Sequence, residues 1–230
     1  MIAAAPVLVT GASGYIGGRL VPVLLERGYR VRVLTRDAAK VRSKAWSAQV
    51  ELVIGSADDP AALHRALTGV AVAYYLVHSM DGNGDFVARD RELAKSFAAA
   101  ARATGVSRIV YLSGLHPTGE LSSHLGSRVE VGRILLDSGV PTAVLQAGVV
   151  LGAGSASFDM LRHLTERLPA MLAPKWLRNR IQPIAIADVL HYLAAAAELP
   201  AEVNRTFDIG GPDVLTYAEM IAGYARVAGI

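Results

Sequence analysis

Short apolar blocks and amphipathic stretches alternate along the first 150 residues. The blocks at 7–10 (VLVT), 31–35 (VRVLT), 50–54 (VELVI), 70–77 (VAVAYYLV), 108–112 (RIVYL) and 142–150 (TAVLQAGVV) are rich in Val, Leu and Ile. The near-continuous apolar run at 70–77 is the pattern of a strand buried on both faces of a parallel sheet. Between the blocks, helices are predicted from the turn after Thr10 to about Gly28, over 61–68, over 86–104 and over 127–137. Gly28, Gly69, Gly105 and Gly139 mark their ends, and Asp59-Pro60 supplies a cap and a first helical position for the second of them. Residues 38–49 read as a polar, mainly helical linker, 81–85 (DGNGD) as a flexible loop and 118–126 as a polar loop. After residue 152 the pattern changes to a helix (157–168), a Pro-containing basic loop, a helix (187–198), a short strand (206–209) and a helix from Tyr217. Strand–helix alternation of this kind predicts an α/β fold, a doubly wound parallel sheet, in which residues 1–230 form one domain and 152–230 a smaller C-terminal lobe.

The first two blocks enclose the strongest chemical signal. Gly11, Gly14 and Gly17 follow the first strand at GxxGxxG spacing, and a helix and a second strand follow them. In that context the pattern is a dinucleotide-binding turn, the signature of a Rossmann fold. Each glycine has a job. The turn needs backbone angles that only glycine adopts cheaply, the second glycine lets a pyrophosphate approach, and the third lets the helix pack close to the sheet. The helix N-terminus then offers free N–H groups to phosphate. The end of the second strand reads the adenosine ribose, and here the sequence is Thr35-Arg36-Asp37. An arginine suits a 2′-phosphate, which favours NADP, whereas Asp37 keeps NAD open. In such sheets the remaining contacts are expected just past the other strand ends, at 55–58, 76–80, 113–116 and 147–152.

Composition narrows the reading further. The chain has 23 basic and 20 acidic residues, a net charge of +3, which is too mild to point to nucleic acid. The densest basic stretch, Lys175-Trp176-Leu177-Arg178-Asn179-Arg180, reads as a solvated loop, with an anionic substrate or a membrane surface as alternatives. No apolar stretch approaches the 18 or so residues of a membrane span. The start, MIAAAPVLVTG, lacks a charged leader and reads as the first strand. There is no cysteine, hence no disulfide, thiol nucleophile or thiolate metal site, and a cytoplasmic location is the simplest expectation. No HExxH and no clustered ligand set suggests a metal, and no Gly-Lys-Ser/Thr follows the glycines as a P-loop requires.

Six segments together resemble the short-chain dehydrogenase/reductase superfamily, and most closely its extended and atypical members related to sugar-nucleotide epimerases and NmrA-like proteins. They are TGASGYIGG (10–18), AYYLVHSM (73–80), RIVYLSGL (108–115), LQAGVVLG (145–152), QPIAIADV (182–189) and FDIGGPDVLTYAEM (207–220). The resemblance implies that Gly11, Ser13, Gly14, Tyr15 and Ile16 line the cofactor phosphates and that Arg36 sits by the adenosine ribose. It implies that Leu76, Val77 and His78 run along the ribose and nicotinamide, with the backbone of Ala147–Val149 nearby. A Gly-Asp pair that meets adenine in such proteins is here Gly55-Ser56, with Asp58 and Asp59 shifted along. It also implies a homodimer through the helices at 86–104 and 127–137, and some relatives carry a further C-terminal domain.

The catalytic pattern departs from the family. Active members use Tyr-x-x-x-Lys with a preceding Ser or Thr, and no Tyr-x-x-x-Lys occurs between 113 and 140. The nearest register puts His124 and Arg128 in those positions, with Ser113, or Gly114 next to it, at the serine position. Histidine is a competent acid/base; an arginine can hold hydroxyls but does not donate a proton. Two functions therefore follow. One is an NADP-dependent oxidoreductase or epimerase-like enzyme with a small-molecule substrate. The other is a non-catalytic NADP-binding redox sensor, as among NmrA-like proteins.

Overall fold

Val7, Leu8 and Val9 have no solvent exposure, and the strand they form, β1 (Val7–Thr10), lies inside the main sheet with neighbours on both sides. The computed structural model describes residues 5–77, 86–116, 119–167 and 175–230. The remaining strands are β2 (Val31–Thr35), β3 (Glu51–Ile54), β4 (Val72–Tyr75), β5 (Arg108–Gly114), β6 (Thr142–Ala147), β7 (Val150–Leu151), β8 (Arg180–Ile181), β9 (Ile184–Ala185), β10 (Arg205–Ile209) and β11 (Leu215–Thr216). The helices are α1 (Tyr15–Glu26), α2 (Ala38–Arg42), α3 (Pro60–Leu67), α4 (Phe86–Ala103), α5 (Ser123–Leu136), α6 (Ala156–Arg167), α7 (Ile186–Ala196) and α8 (Tyr217–Ala228).

Seven strands form the main sheet in the order β10-β6-β5-β4-β1-β2-β3. The pairs β1–β2, β2–β3, β1–β4 and β4–β5 are parallel, which with this order is the doubly wound Rossmann arrangement. Strand order reverses between β1 and β4, and the Thr10 hydroxyl ties that point together. Its Oγ1 donates to the Tyr74 carbonyl (2.9 Å) and accepts from the Leu76 N–H (3.0 Å).

The alternation of side chains along strands sends one set to each face. Leu8, Ala73, Tyr75, Ile109, Tyr111 and Val144 face a core completed by Ala62, Leu63, Ala66 and Leu67 of α3, Ala94, Phe97 and Ala98 of α4 and Val131 and Leu135 of α5. Tyr75 lies 4.8 Å from Phe97 and 5.9 Å from Tyr111 between ring centroids, both tilted. Helix α1 packs on β1 and β2, burying Gly17, Leu20, Val21 and Leu24. Pro22 lies inside α1 and has no N–H to give the Gly18 carbonyl. The Trp46 indole fills the gap, donating to Gly18 O at 3.0 Å.

Several boundaries differ from the sequence expectation. The strand at 70–77 shortens to 72–75. The linker at 38–49 forms only α2 and a 3-10 turn at 47–49. Helix α5 begins four residues earlier than expected, because the Ser122 hydroxyl accepts from the Leu125 N–H (3.3 Å) and caps it. His124 therefore stands in the first turn of a helix rather than in a loop. The block at 142–150 breaks into β6 and β7, and β7 pairs with β9 in a separate two-stranded sheet. Strand β10, expected within the smaller lobe, is the outer strand of the main sheet beside β6.

The chain divides into two units, Met1–Gln146 with Leu190–Phe207, and Ala147–Val189 with Asp208–Ile230. In the second, α6 and α8 pack together: Phe158 meets Tyr224 edge-on at 5.8 Å, and the Tyr224 hydroxyl donates to Glu166 (2.8 Å). Gln182 Nε2 donates to the Gly211 carbonyl (2.7 Å), fixing the QPI segment to the Gly-Gly turn.

Candidate functional site

The turn after β1 is shaped by what a side chain would strike. Gly11 has φ +70°, and a Cβ there would lie 2.4 Å from the Leu76 carbonyl oxygen. A Cβ on Gly17 would lie 2.4 Å from the Gly11 carbonyl oxygen. Gly14 caps α1 with extended backbone and no side-chain partner; its N–H closes the turn onto Gly11 O at 3.0 Å. No acidic residue stands in the first turn of α1. The N–H groups at the start of this helix therefore lack intrahelical acceptors and face no carboxylate of their own turn, which suits a phosphate.

Beside the turn lies a cavity of about 270 Å3 at the carboxyl ends of β1, β2 and β3. Its wall includes Thr10, Gly11 and Ser13 from the turn, Leu34 to Asp37 from the end of β2, Gly55 to Asp58 from the end of β3, Lys40 from α2, Val77, and Arg89 and Leu93 from α4. The cavity brings together Gly11, Ser13, Arg36 and Val77 of the residues expected at the cofactor. Tyr15 and Ile16 form the first turn of α1, where the Arg19 guanidinium lies 3.9 Å over the Tyr15 ring. Leu76 contributes its backbone to the Thr10 bridge. His78 lies outside the described residues.

Charge on the cavity wall comes from Arg36, Lys40 and Arg89 against Asp37 and Asp58. Asp37, the residue that kept NAD open, lines the cavity and also caps α2. Its Oδ1 accepts from the N–H groups of Ala39 (2.9 Å) and Lys40 (3.3 Å) and caps α2. Asp59 likewise caps α3, accepting from Ala61 N–H at 2.9 Å, so of the two shifted acids only Asp58 lines the cavity. Lys40 and Arg89 escaped the sequence reading. Lys40 could have been found, since it stands one turn into a helix whose cap, Asp37, was visible. Arg89 could not, because only the fold brings α4 to the end of β2.

The second cluster lies where β5 meets α5. Ser113 is 2% exposed, and its hydroxyl donates to the Arg128 carbonyl at 3.5 Å. The Tyr111 hydroxyl donates to the same carbonyl at 3.4 Å, and burial pushes its pKa up to about 12. His124 is exposed and its ring stacks on Phe86, with 4.4 Å between centroids and 20° between planes. One turn on, the Arg128 side chain passes the end of β5: a Cβ on Gly114 would lie 3.9 Å from its Cδ and Nη1. Ser127 donates to the buried Asp90 carboxylate (3.2 Å), and Arg91 grips both carboxylate oxygens of Glu130 (2.5 and 3.1 Å). The three candidates are thus neighbours, but the serine hydroxyl faces into the fold. Among the described residues no three metal-capable side chains converge, and no helix is long and apolar enough to cross a membrane.

Comparison with known proteins places this geometry in context. The model of the NmrA-like family matches residues 4–230. The ceramide reductase of Caulobacter vibrioides is 27% identical over 229 residues, covering 97% of this chain and 70% of that protein. The NAD(P)H azoreductase of Xenophilus azovorans is 25% identical over 232 residues, covering 97% and 74%. Among solved structures, MoeE5 in complex with UDP-glucose and NAD superposes with a TM-score of 0.79 at 18% identity, covering 97% of this chain and 82% of that one, a likeness of fold.

Proposed function

This chain belongs to the NmrA-like family, and on that premise we propose that it is an NADP(H)-dependent reductase of a small organic substrate. The reductase names of its relatives support the reaction class. The observation that carries the cofactor preference is the end of β2: Arg36 and Lys40 both line the cavity, and Asp37 spends one carboxylate oxygen on the cap of α2. A ribose 2′-phosphate would meet two cations there.

The residues present fit a dinucleotide. Gly11, Ser13, Gly14, Tyr15 and Ile16 would surround the pyrophosphate, in a turn held so close to Leu76 that Gly11 has no room for a Cβ. Arg36 and Lys40 would hold the 2′-phosphate, Asp58 the adenine amino group, and Leu76, Val77 and His78 the nicotinamide side. When bound, the cofactor supplies a hydride. His124 and Arg128 would manage proton and charge at the substrate, and Ser113, with its hydroxyl on the Arg128 carbonyl, would support them from behind. The reading includes a cytoplasmic location and a homodimer.

Calorimetric titration with NADPH and then NADH tests the reading. NADPH is expected to bind at least about tenfold tighter than NADH. Arg36→Ala and Lys40→Ala are each expected to weaken NADPH by about 1.5–3 kcal/mol, the range for hydrogen bonds to charged groups, and to leave NADH nearly unchanged. Equal losses for both cofactors would reject the assignment. The buried Ser113 and the missing Tyr-x-x-x-Lys favour a second reading, an NADP-binding redox sensor without turnover. Tight NADPH binding with no oxidation of NADPH across a panel of carbonyl, enone and azo compounds would select it.

A further inference from the structure

We infer that the basic turn Lys175–Arg178, with Arg180 beside it, is a peripheral docking surface for an anionic membrane, and that Trp176 enters the headgroup layer next to the cations. None of these residues lines the cavity at the ends of β1, β2 and β3, and the inference is independent of the reductase reading.

The sequence concentrates charge there. No acidic residue occurs between Glu166 and Asp188, a span that holds Arg167, Lys175, Arg178 and Arg180. Folding turns the stretch into a surface. Lys175–Arg178 is a 3-10 turn, and its Leu177 is buried. With three residues per turn, positions i and i+3 eclipse. Lys175 and Arg178 therefore form one ridge and Trp176 the neighbouring one, on the two sides that Leu177 leaves to solvent. All three are exposed, and Trp176, at 38%, is one of the large apolar side chains that the fold leaves in water. The turn is held in place by its neighbours. The Trp176 ring meets Tyr217 edge-on at 5.4 Å, the Tyr217 N–H donates to the Asn179 carbonyl (3.3 Å), and the exposed Arg180 stands opposite Thr216 in the β8–β11 ladder.

The charges are available. Among the described residues, Lys175, Arg178 and Arg180 make no hydrogen bond and no ion pair. The acids by β11 are Asp213 and Glu219, and Glu219 Oε2 accepts from the Thr216 N–H (2.7 Å) and hydroxyl (2.9 Å). The chemistry of the surface selects its partner. A stable protein partner covers about 20–30 residues a side, far more than this turn offers. A nucleic acid calls for a longer basic stripe. A membrane surface asks for neither, because each basic side chain near anionic headgroups adds its own share of attraction. Tryptophan is at home at that level, where its apolar ring and polar N–H meet their two solvents. Exposed cations beside an exposed, positioned tryptophan match both demands.

Two measurements test this, and neither uses a cofactor. The first is co-sedimentation of the full chain with vesicles, one set containing one-third phosphatidylglycerol in phosphatidylcholine, the other phosphatidylcholine alone. Binding is expected to the anionic set only and should fade as salt is raised. Combining Lys175→Gln, Arg178→Gln and Arg180→Gln should weaken it by about 10²-fold, roughly fivefold per cation, with an unchanged thermal midpoint. The second replaces part of the phosphatidylcholine with its brominated form, which quenches tryptophan inside the bilayer. Trp176 should be quenched, whereas the buried Trp46 stays bright, and Trp176→Phe should abolish the quenching. Absence of binding at low salt, undiminished binding by the triple variant, or binding without quenching would overturn the inference. Release of the chain by inorganic phosphate at matched ionic strength would make the surface a small-anion site instead, and tighter capture by polyglutamate than by the anionic vesicles would make the partner an acidic protein; either result overturns the membrane assignment.

Discussion

At the scale of single residues, the unusual feature is how many polar groups have been turned inward and what each is doing there. Ser113 and Thr10 are buried hydroxyls with work to do: one holds the Arg128 carbonyl, the other bridges β1 and β4. Tyr74, like Tyr15, is an exception. Its side chain is fully buried, its hydroxyl has no hydrogen-bond partner among the described residues, and burial drives its pKa well above the usual tyrosine range. A buried hydroxyl without a partner is a net penalty. Tyr74→Phe is therefore expected to raise stability by about 1 kcal/mol, read as a higher midpoint in urea with an unchanged slope. A lower midpoint would mean that the hydroxyl has a partner the fold requires.

At the scale of elements, two seams depend on side chains far apart in sequence. Helix α1 survives Pro22 because the Trp46 indole satisfies the carbonyl that proline leaves open. Trp46→Phe keeps most of the apolar contact and removes the donor, so it should destabilise by about 1–3 kcal/mol, the penalty for an unsatisfied buried acceptor. Thermal melting of the variant checks it, and Trp46→Phe with Pro22→Ala should recover part of the loss by restoring the helical N–H. Helices α4 and α5 are joined through Arg91 and Glu130. The hydrogen bond from Arg91 holds the Glu130 carboxyl below its ordinary value. A depressed carboxylate contributes stability above its unfolded value, roughly 4.3, and loses it as pH falls through the folded one. Glu130→Gln should remove that part of the acid dependence, so native and variant stabilities should converge as pH drops below about 4. Both partners are partly exposed, which keeps the effect small.

At the scale of the whole molecule, the chain's return after α7 is anchored by the Arg108 side chain together with that of Asn204. Arg108, at the start of β5, is buried and donates to the carbonyls of Leu199, Pro200 and Val203 (3.2, 2.6 and 2.9 Å). These carbonyls sit in the connection leading to β10, the outer strand of the main sheet. Arg108→Ala would orphan all three, and a loss of about 3 kcal/mol or more is expected in urea unfolding. Arg108→Met, of similar length, should recover little, because the missing element is the set of donors rather than the volume. Proteolysis between residues 199 and 205 should become easier in both variants, which a merely local packing defect would not cause.

The order strand, glycine turn, helix, strand was legible because its signals are local. Gly11, Gly14 and Gly17 are needed for backbone reasons that act within a few residues, and apolar runs such as 70–77 report burial directly. Arg36 was legible for the same reason, standing at a fixed offset from that unit. Boundaries were less so. The start of α5 turned on a single cap at Ser122, and the end of β6 on a switch of pairing partner from the main sheet to the β7–β9 ladder. What only the tertiary structure decided is which group faces which. Asp37 reads as a ribose ligand in sequence and is a helix cap in space. Ser113 reads as a catalytic hydroxyl and points into the fold. Arg89 carries no local mark of a site, yet it lines the cavity beside Arg36. Local rules determine backbone and periodicity; the direction of a polar side chain is settled by the partners that folding brings to it, and those lie tens of residues away.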